Sequence, residues 1–457
     1  MKQPSIFILT LAFIVFGHIA ISQDSISCNL QEIYYANHFL SGSCSPDQNG
    51  DWETYRNMNT YIPDMNPDHP LQNPPISTIQ INFNIIQKDD GSGNFPNNQA
   101  TNDRLKAMIE HVNSFYEHYA PSDPISWVTE LPNFDSRIRF SLGEPGNERI
   151  YFYQNTAAWN DTWPTTTIEP FIAQNYPERL EQVNVYIFGN PNNNNWAHAT
   201  MPSWTDFNST SWVVLFYWEN PGSDWSTSGT LAHEFGHNLD LLHTYHGGGA
   251  SAICDQQDED FLKDVFLIQL PDISNCPHTG SWSDDPYLEN GDGITNNLLG
   301  GTQSQKYISP MQAGQMHRSL AITSVRKYVK CDKSQIPLVI NGIQNWDFDM
   351  KLYRDLIISP NSHLTISCHL VMHPDAKIVI EPGGKLTIDG GLIGTDIFEK
   401  APWAGIEVWG NSAASQYPDA NGNYQQGYVE LKNGAVIENA WEAIQPWHPG
   451  EWNETGG

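Results

Sequence analysis

Apolar and polar residues alternate through "TIQINFNIIQ" from Thr78, the period of a strand with one face buried. The period then changes. In "NDRLKAMIEHVNSFYEHY" the residues Leu105, Met108, Ile109, Val112 and Phe115 recur at helical spacing, with Asn102 or Asp103 available as a cap. "RIRFSL", "RIYFYQ", "VNVYIFG" and "WVVLFYWE" are further strand candidates. The last suits either a sheet edge that pairs with a bound peptide or a buried core strand. A helix then fits residues 228 to 239, with Ser226, Thr227 or Ser228 as its cap and Leu231, Phe235 and Leu239 as an apolar stripe. His233 lies about 200° around the helix axis from Leu231, so this helix can pack on a core and still turn its histidines toward a cleft. Strands interleaved with a few helices give an α+β order for residues 76–331.

After Cys331 the helical period disappears. Short apolar pairs such as Leu364/Ile366, Ile378/Ile380, Leu386/Ile388, Ile406/Val408 and Val429/Leu431 alternate with Gly, Asn and Asp turns. That texture predicts an all-β region over 332–457, a solenoid or a sandwich. It resembles the right-handed parallel β-helix regions attached to bacterial surface proteins. The run stops at "EWNETGG" with no capping element, which leads us to expect a longer product. Upstream, residues 23–75 are rich in Asn, Asp, Pro and Ser with little periodicity, and read as a lead-in or pro-segment. Residues 1–22 have the layout of a cleaved signal peptide: Lys2, an apolar run from Ile6 to about Phe16, then small residues at Ala20 and Ser22. No other stretch is apolar and long enough to span a bilayer, so the mature chain is expected to be secreted, at the cell surface or outside it.

Composition narrows the partners. The chain has 457 residues, enough for two or three domains, with 22 Lys and Arg against 52 Asp and Glu, a formal net charge of −30. Such a surface repels phosphate backbones and anionic lipid, which argues against nucleic-acid and membrane-surface binding. Six cysteines in an exported chain point to disulfides, and Cys28 with Cys44 and Cys254 with Cys276 are the pairs closest in sequence.

The chemistry concentrates in "HEFGHNLDLLH", residues 233 to 243. Histidines at i and i+4 on a helix stand one above the other, so His233 and His237 can grip one ion, and Glu234 points past it toward a bound water. A catalytic zinc takes three protein ligands. On a continued helix His243 would sit about 9 Å further up the axis and about 120° off the face, so the chain must turn back between 238 and 242. That turn calls for positive φ. Asp240 tolerates it at some strain, and Asn238 can share it.

"HEFGHNLDLLHTY" resembles the metzincin zinc-peptidase signature HExxHxxGxxH, and "LLHTY" resembles its pappalysin branch. The resemblance implies a zincin-like domain with a twisted mixed sheet and an active-site helix, hydrolysing protein or peptide substrates. It implies zinc held by His233, His237 and His243, with Glu234 as general base and acid. It also places a methionine-containing turn beneath the metal, for which "NNLLGG" fits with Leu299 in the methionine's position, followed by a final helix from about Pro310. Two departures stand out: Asp240 for glycine and Leu299 for methionine.

Other readings remain open: a solvated His-rich helix, Glu259 as third ligand, an inactive zincin fold serving as a binding module, or a β-helix that attaches to a surface or binds polysaccharide. The acidic loop of Asp284, Asp285, Glu289 and Asp292 can hold calcium or simply be solvated.

Overall fold

The computed structural model describes residues 50–118, 135–161, 163–189, 197–216, 224–242, 297–299 and 307–448. They belong to one compact unit that starts at Cys44. The expected signal peptide, Cys28, Cys44, Cys254, Cys276, Glu259, the acidic loop and His243 lie outside the described residues. Cys331 is a free thiol and Cys368 is disulfide-bonded.

Where the sequence suggested an aperiodic lead-in, the chain forms helix α1 (Asp51–Arg56) and two 3-10 turns, Met58–Tyr61 and Pro70–Gln72. Strand β1 (Ser77–Gln87) follows and serves as the spine of a seven-stranded sheet. Its first half pairs in parallel with β2 (Ile138–Ser141), and its second half with β3 (Ile150–Gln154) and β4 (Val183–Phe188). β5 (Ala197–Ala199) and β6 (Trp212–Phe216) extend the sheet in the order β2-β1-β4-β6-β5, with β5 antiparallel at the edge. β7 (Val329–Lys330) returns antiparallel beside β1.

Both faces of this sheet are covered. On one face pack α2 (Gln99–His118), α5 (Asp224–Asn238) and α6 (Pro310–Ile322), in a core that includes Ile81, Phe83, Val185, Val213, Leu231 and Phe235. On the other lie α3 (Thr156–Trp159) and α4 (Ile168–Asn175) over Ile86, Tyr186, Phe188 and Val214. The half-buried reading of β1 holds for Ser77–Gln80, which alternate buried and half-buried, and is corrected from Ile81 on. There Asn82 and Asn84 are buried as well, Asn82 Nδ2 donating to Arg179 O at 2.8 Å and Asn84 Nδ2 to Asn184 Oδ1 at 2.9 Å. The two-sided cover also decides the reading of "WVVLFYWE": β6 is an interior strand with every residue buried, and the edge belongs to β5.

The helices start where their caps allow. α2 begins earlier than expected because Asn98, and neither Asn102 nor Asp103, takes the cap, accepting from Thr101 N at 3.0 Å. α6 begins at the expected Pro310 through a capping box: Ser309 Oγ accepts from Gln312 N, and Gln312 Oε1 accepts from Ser309 N. Among the described residues no helix is long and apolar enough to cross a membrane.

From residue 334 the chain winds through three parallel sheets. The first circuit is β8 (Ser334–Ile340), β9 (Ile343–Trp346) and β10 (Met350–Leu352); the second is β11 (Arg354–Ile358), β12 (His363–Ile366) and β13 (His369–Met372). The third is β14 (Lys377–Ile380), β15 (Lys385–Asp389) and β16 (Leu392–Gly394), the fourth β17 (Trp403–Val408), β18 (Tyr428–Lys432) and β19 (Val436–Ile437), and β20 (Ala440–Gln445) begins a fifth. Each strand pairs with the strand three places earlier, which stacks like residues in rows: Leu356, Ile378 and Ile406 in one sheet, Leu364, Leu386 and Val429 in another. The first circuit is covered by α1. Trp52 packs on Phe348 and Tyr55 on Trp346 at ring separations of 5.1 and 5.2 Å, and Asp51 Oδ2 accepts from Asn345 N.

Candidate metal centre

The apolar stripe of α5 forms as the sequence predicts, with Leu231, Phe235 and Leu239 fully buried. Burial of each contributes roughly 1.5–3 kcal/mol, which anchors the helix on the sheet. Phe235 stacks on Phe140 at 4.3 Å, and Tyr116 of α2 donates to the carbonyl of Ala232 at 2.9 Å. The opposite side carries His233 and His237, with ring centroids 4.8 Å apart and planes at 85°.

The helix stops where the third-ligand argument requires it to stop. Leu241 N donates to Gly236 O at 3.0 Å and Asp240 N to His237 O at 3.1 Å, the paired bonds of a Schellman end. Asp240 sits at φ 72° in its left-handed position. It does so alone: Asn238 stays helical, and its side chain pins the helix end to the sheet by donating to Thr200 O at 2.7 Å and Trp212 O at 3.2 Å. The carboxylate of Asp240 accepts from Arg318 Nη2 at 2.9 Å and Gln315 Nε2 at 3.0 Å, both on α6.

Each histidine is oriented by a backbone carbonyl. His233 Nδ1 lies 2.8 Å from Leu298 O, and His237 Nδ1 lies 2.7 Å from Leu241 O. A carbonyl can only accept, so Nδ1 carries the proton in both rings and Nε2 carries the lone pair, the arrangement that a metal-ligating imidazole needs. Burial holds the pKa of His237 below its ordinary value, which favours that neutral form.

Between them in sequence, Glu234 is only 6% exposed, and its Oε2 has no hydrogen-bond partner among the described residues. Burial pushes its pKa up to about 8. An unpartnered buried carboxyl oxygen is costly, and a nearby cation would favour the ionised form.

The turn expected beneath the site is present at 297–299. Leu299 is fully buried against the helix: a Cβ placed on Gly236 would lie 2.9 Å from Leu299 Cδ2. Glycine inside a helix costs roughly 0.5–1 kcal/mol relative to alanine, and here the close approach of Leu299 explains it. Asn297 fixes the turn by exchanging two hydrogen bonds with the Gln312 amide, 2.8 and 2.9 Å, and by accepting from Leu299 N.

These features fit a zinc site: two Nε2 donors presented by Nδ1–H tautomers, beside a buried carboxylate with an orphaned oxygen. Among the described residues no group of three His, Cys, Asp or Glu gathers, so a third ligand has to come from outside them, where His243 lies. His198 is not brought to the site. It sits on β5 with its ring against Trp163 and Trp212, on the sheet face away from α5. The sequence reading missed Gln312, Gln315 and Arg318; their three-residue spacing on α6 was the only signal available, and it is common among solvated helices.

A family model described as Peptidase_M43, pregnancy-associated plasma protein-A, matches residues 166–281. The stretch contains β4, β6, α5 and His243, about a quarter of the chain, and its similarity supports a metallopeptidase. No curated protein matches the chain.

Proposed function

We propose that the chain is a secreted zinc endopeptidase of the metzincin type, nearest the pappalysin branch, with His233, His237 and His243 as metal ligands and Glu234 as general base and acid. The observation that carries this reading is the carbonyl-oriented pair of imidazoles flanking a buried, unpartnered carboxylate. Zinc at that position would supply Lewis-acid activation of water and of the scissile carbonyl. Glu234 accepts the proton of the attacking water as the C–O bond forms, and delivers it to the amide nitrogen as the C–N bond breaks, so that the amine leaves neutral. His233 and His237 hold fixed tautomers through the cycle because their Nδ1–H groups donate to Leu298 O and Leu241 O. β5, an edge strand of the described sheet, is a candidate for pairing with an extended substrate.

We read the three-sheet coil of residues 334–445 as a parallel β-helix that orients the peptidase, and assign it no saccharide ligand. Calcium is not proposed.

The test is metal analysis joined to cleavage of a protein such as casein. Wild type is expected to hold one zinc and to cleave, and Glu234→Gln to keep the zinc and lose at least about 100-fold in rate. A zinc-replete wild type inactive on every peptide offered would make the chain a non-catalytic binding module.

A further inference from the structure

We propose that Asp240 is a positioning residue for His237, locked by Gln315 and Arg318 of α6; the proposal rests on the zinc reading above. His237 Nδ1 is held by the carbonyl of Leu241 at 2.7 Å. Leu241 is the residue immediately after the left-handed turn, so rotation of the Asp240 backbone swings that carbonyl directly. Two bonds from α6 oppose such rotation. Gln315 Nε2 donates at 3.0 Å to both the main-chain oxygen and Oδ2 of Asp240, bracing its backbone and side chain together. Arg318 Nη2 donates to Oδ2 at 2.9 Å, with the arginine side chain 3% exposed and the aspartate 11% exposed.

A glycine at 240 would adopt the turn without strain, but it would remove the acceptor. Among the described residues the guanidinium of Arg318 would keep the Arg56 carbonyl at 3.1 Å and the face of Trp204 at 4.7 Å. A buried guanidinium that loses its hydrogen-bond acceptor recruits water or moves, and either outcome frees the turn. Aspartate is thus more than a tolerated substitute for glycine. It exchanges backbone ease for a carboxylate that ties the ligand-bearing turn to a helix more than seventy residues downstream.

The same helix acts on the other ligand by a separate route, since Gln312 holds Asn297 and Asn297 holds the turn whose Leu298 carbonyl orients His233. That route leaves Asp240 untouched, so the two histidines can be perturbed one at a time.

The test measures zinc affinity by chelator competition, and the visible spectrum of the cobalt-substituted protein, in wild type, Asp240→Gly, Asp240→Asn, Arg318→Met, the double variant Asp240→Gly/Arg318→Met, and His237→Ala. Partners that orient a metal-bound histidine are worth about 10- to 100-fold in affinity. Asp240→Gly and Arg318→Met are each expected to weaken zinc by about tenfold or more and to shift the cobalt bands, and the double variant to be no weaker than either single. Asparagine tolerates positive φ and keeps an acceptor for Arg318, so Asp240→Asn should stay within about threefold of wild type and rescue the spectrum even if the glycine variant folds poorly. A folded Asp240→Gly protein with wild-type affinity and spectrum overturns the proposal, as do single losses that multiply in the double variant. A wild type that binds no zinc, with His237→Ala indistinguishable from it, overturns the zinc reading itself and the proposal along with it.

Discussion

His317 gives the sharpest test of how α6 is held in the fold. It is 5% exposed, and Nε2 lies 2.7 Å from the carbonyl of Ser136, so Nε2 carries a proton. Burial pulls its pKa down to about 4; the Ser136 carbonyl and Asp135 oppose that pull, and Arg137 and Arg354 assist it. In the unfolded chain the same group titrates near its ordinary value of about 6.5. As pH falls, the unfolded state therefore binds this proton first. The stability that depends on a neutral His317 is complete above about pH 6.5 and is lost progressively down to about pH 4. A difference of about 2.5 pKa units corresponds to about 3 kcal/mol. In His317→Gln the amide can still donate to Ser136 O but cannot titrate. Urea unfolding of both proteins from about pH 7 to about pH 4, with chelator present so that metal ligands contribute equally, should show the wild type losing about 3 kcal/mol more than the variant. Parallel stability curves would mean that His317 takes its proton without cost, and the account of a dry contact between α6 and the Ser136 carbonyl would fall.

Two further outcomes follow from packing. Gly314→Ala puts a Cβ 2.7 Å from the Met58 carbonyl and 2.7 Å from Ile62 Cγ1; the clash outweighs the roughly 1 kcal/mol gain in helix propensity, so we expect net destabilisation of about 1–2 kcal/mol and faster proteolysis between residues 57 and 75. An unchanged melting temperature would show that this segment is not packed as described. Lys351→Met strands Asp396, whose carboxylate the lysine holds at 3.0 Å with both side chains under a tenth exposed; a loss of about 3–5 kcal/mol is expected in chemical denaturation, most of it recovered in Lys351→Met/Asp396→Leu.

Much of this fold could be read from period alone, because the period there reports which face is buried. Leu231, Phe235 and Leu239 predict the buried side of α5, and the geometry of His243 relative to His237 predicts the left-handed residue found at Asp240. The three-sheet coil is equally visible in the paired apolar residues that later stack in register. Period fails where cover comes from distant chain. Nothing local in "TIQINFNIIQ" says that α3 and α4 will close its second face, so Asn82 and Asn84 look solvent-facing when they are in fact buried, with their amide groups donating to Arg179 O and Asn184 Oδ1. Residues 51–72 look unstructured because their apolar groups, Trp52, Tyr55 and Tyr61, are too sparse to show a period. They find their partners only in the last helix and the first β circuit. Cap identity was missed for a similar reason, since several polar residues precede α2 and only the entry direction of the chain selects Asn98.

The motif at 233–243 carries the proposed reactive groups, yet the parts that hold its described histidines in place come from α6. A side-chain amide of that helix sets the turn behind His233, and an amide and a guanidinium set the turn behind His237. Each of these three residues acts through a backbone carbonyl. Carbonyls are suited to that task because they fix a tautomer without adding charge beside the imidazoles, which leaves Glu234 as the titratable carboxylate in the motif's buried part. α6 is in turn held by its capping box at one end and by the close approach of Met58 and Ile62 at Gly314. The 50–75 segment thus bears on the site although it touches neither histidine: loosening it relaxes α6, and with α6 the carbonyls that aim both imidazoles.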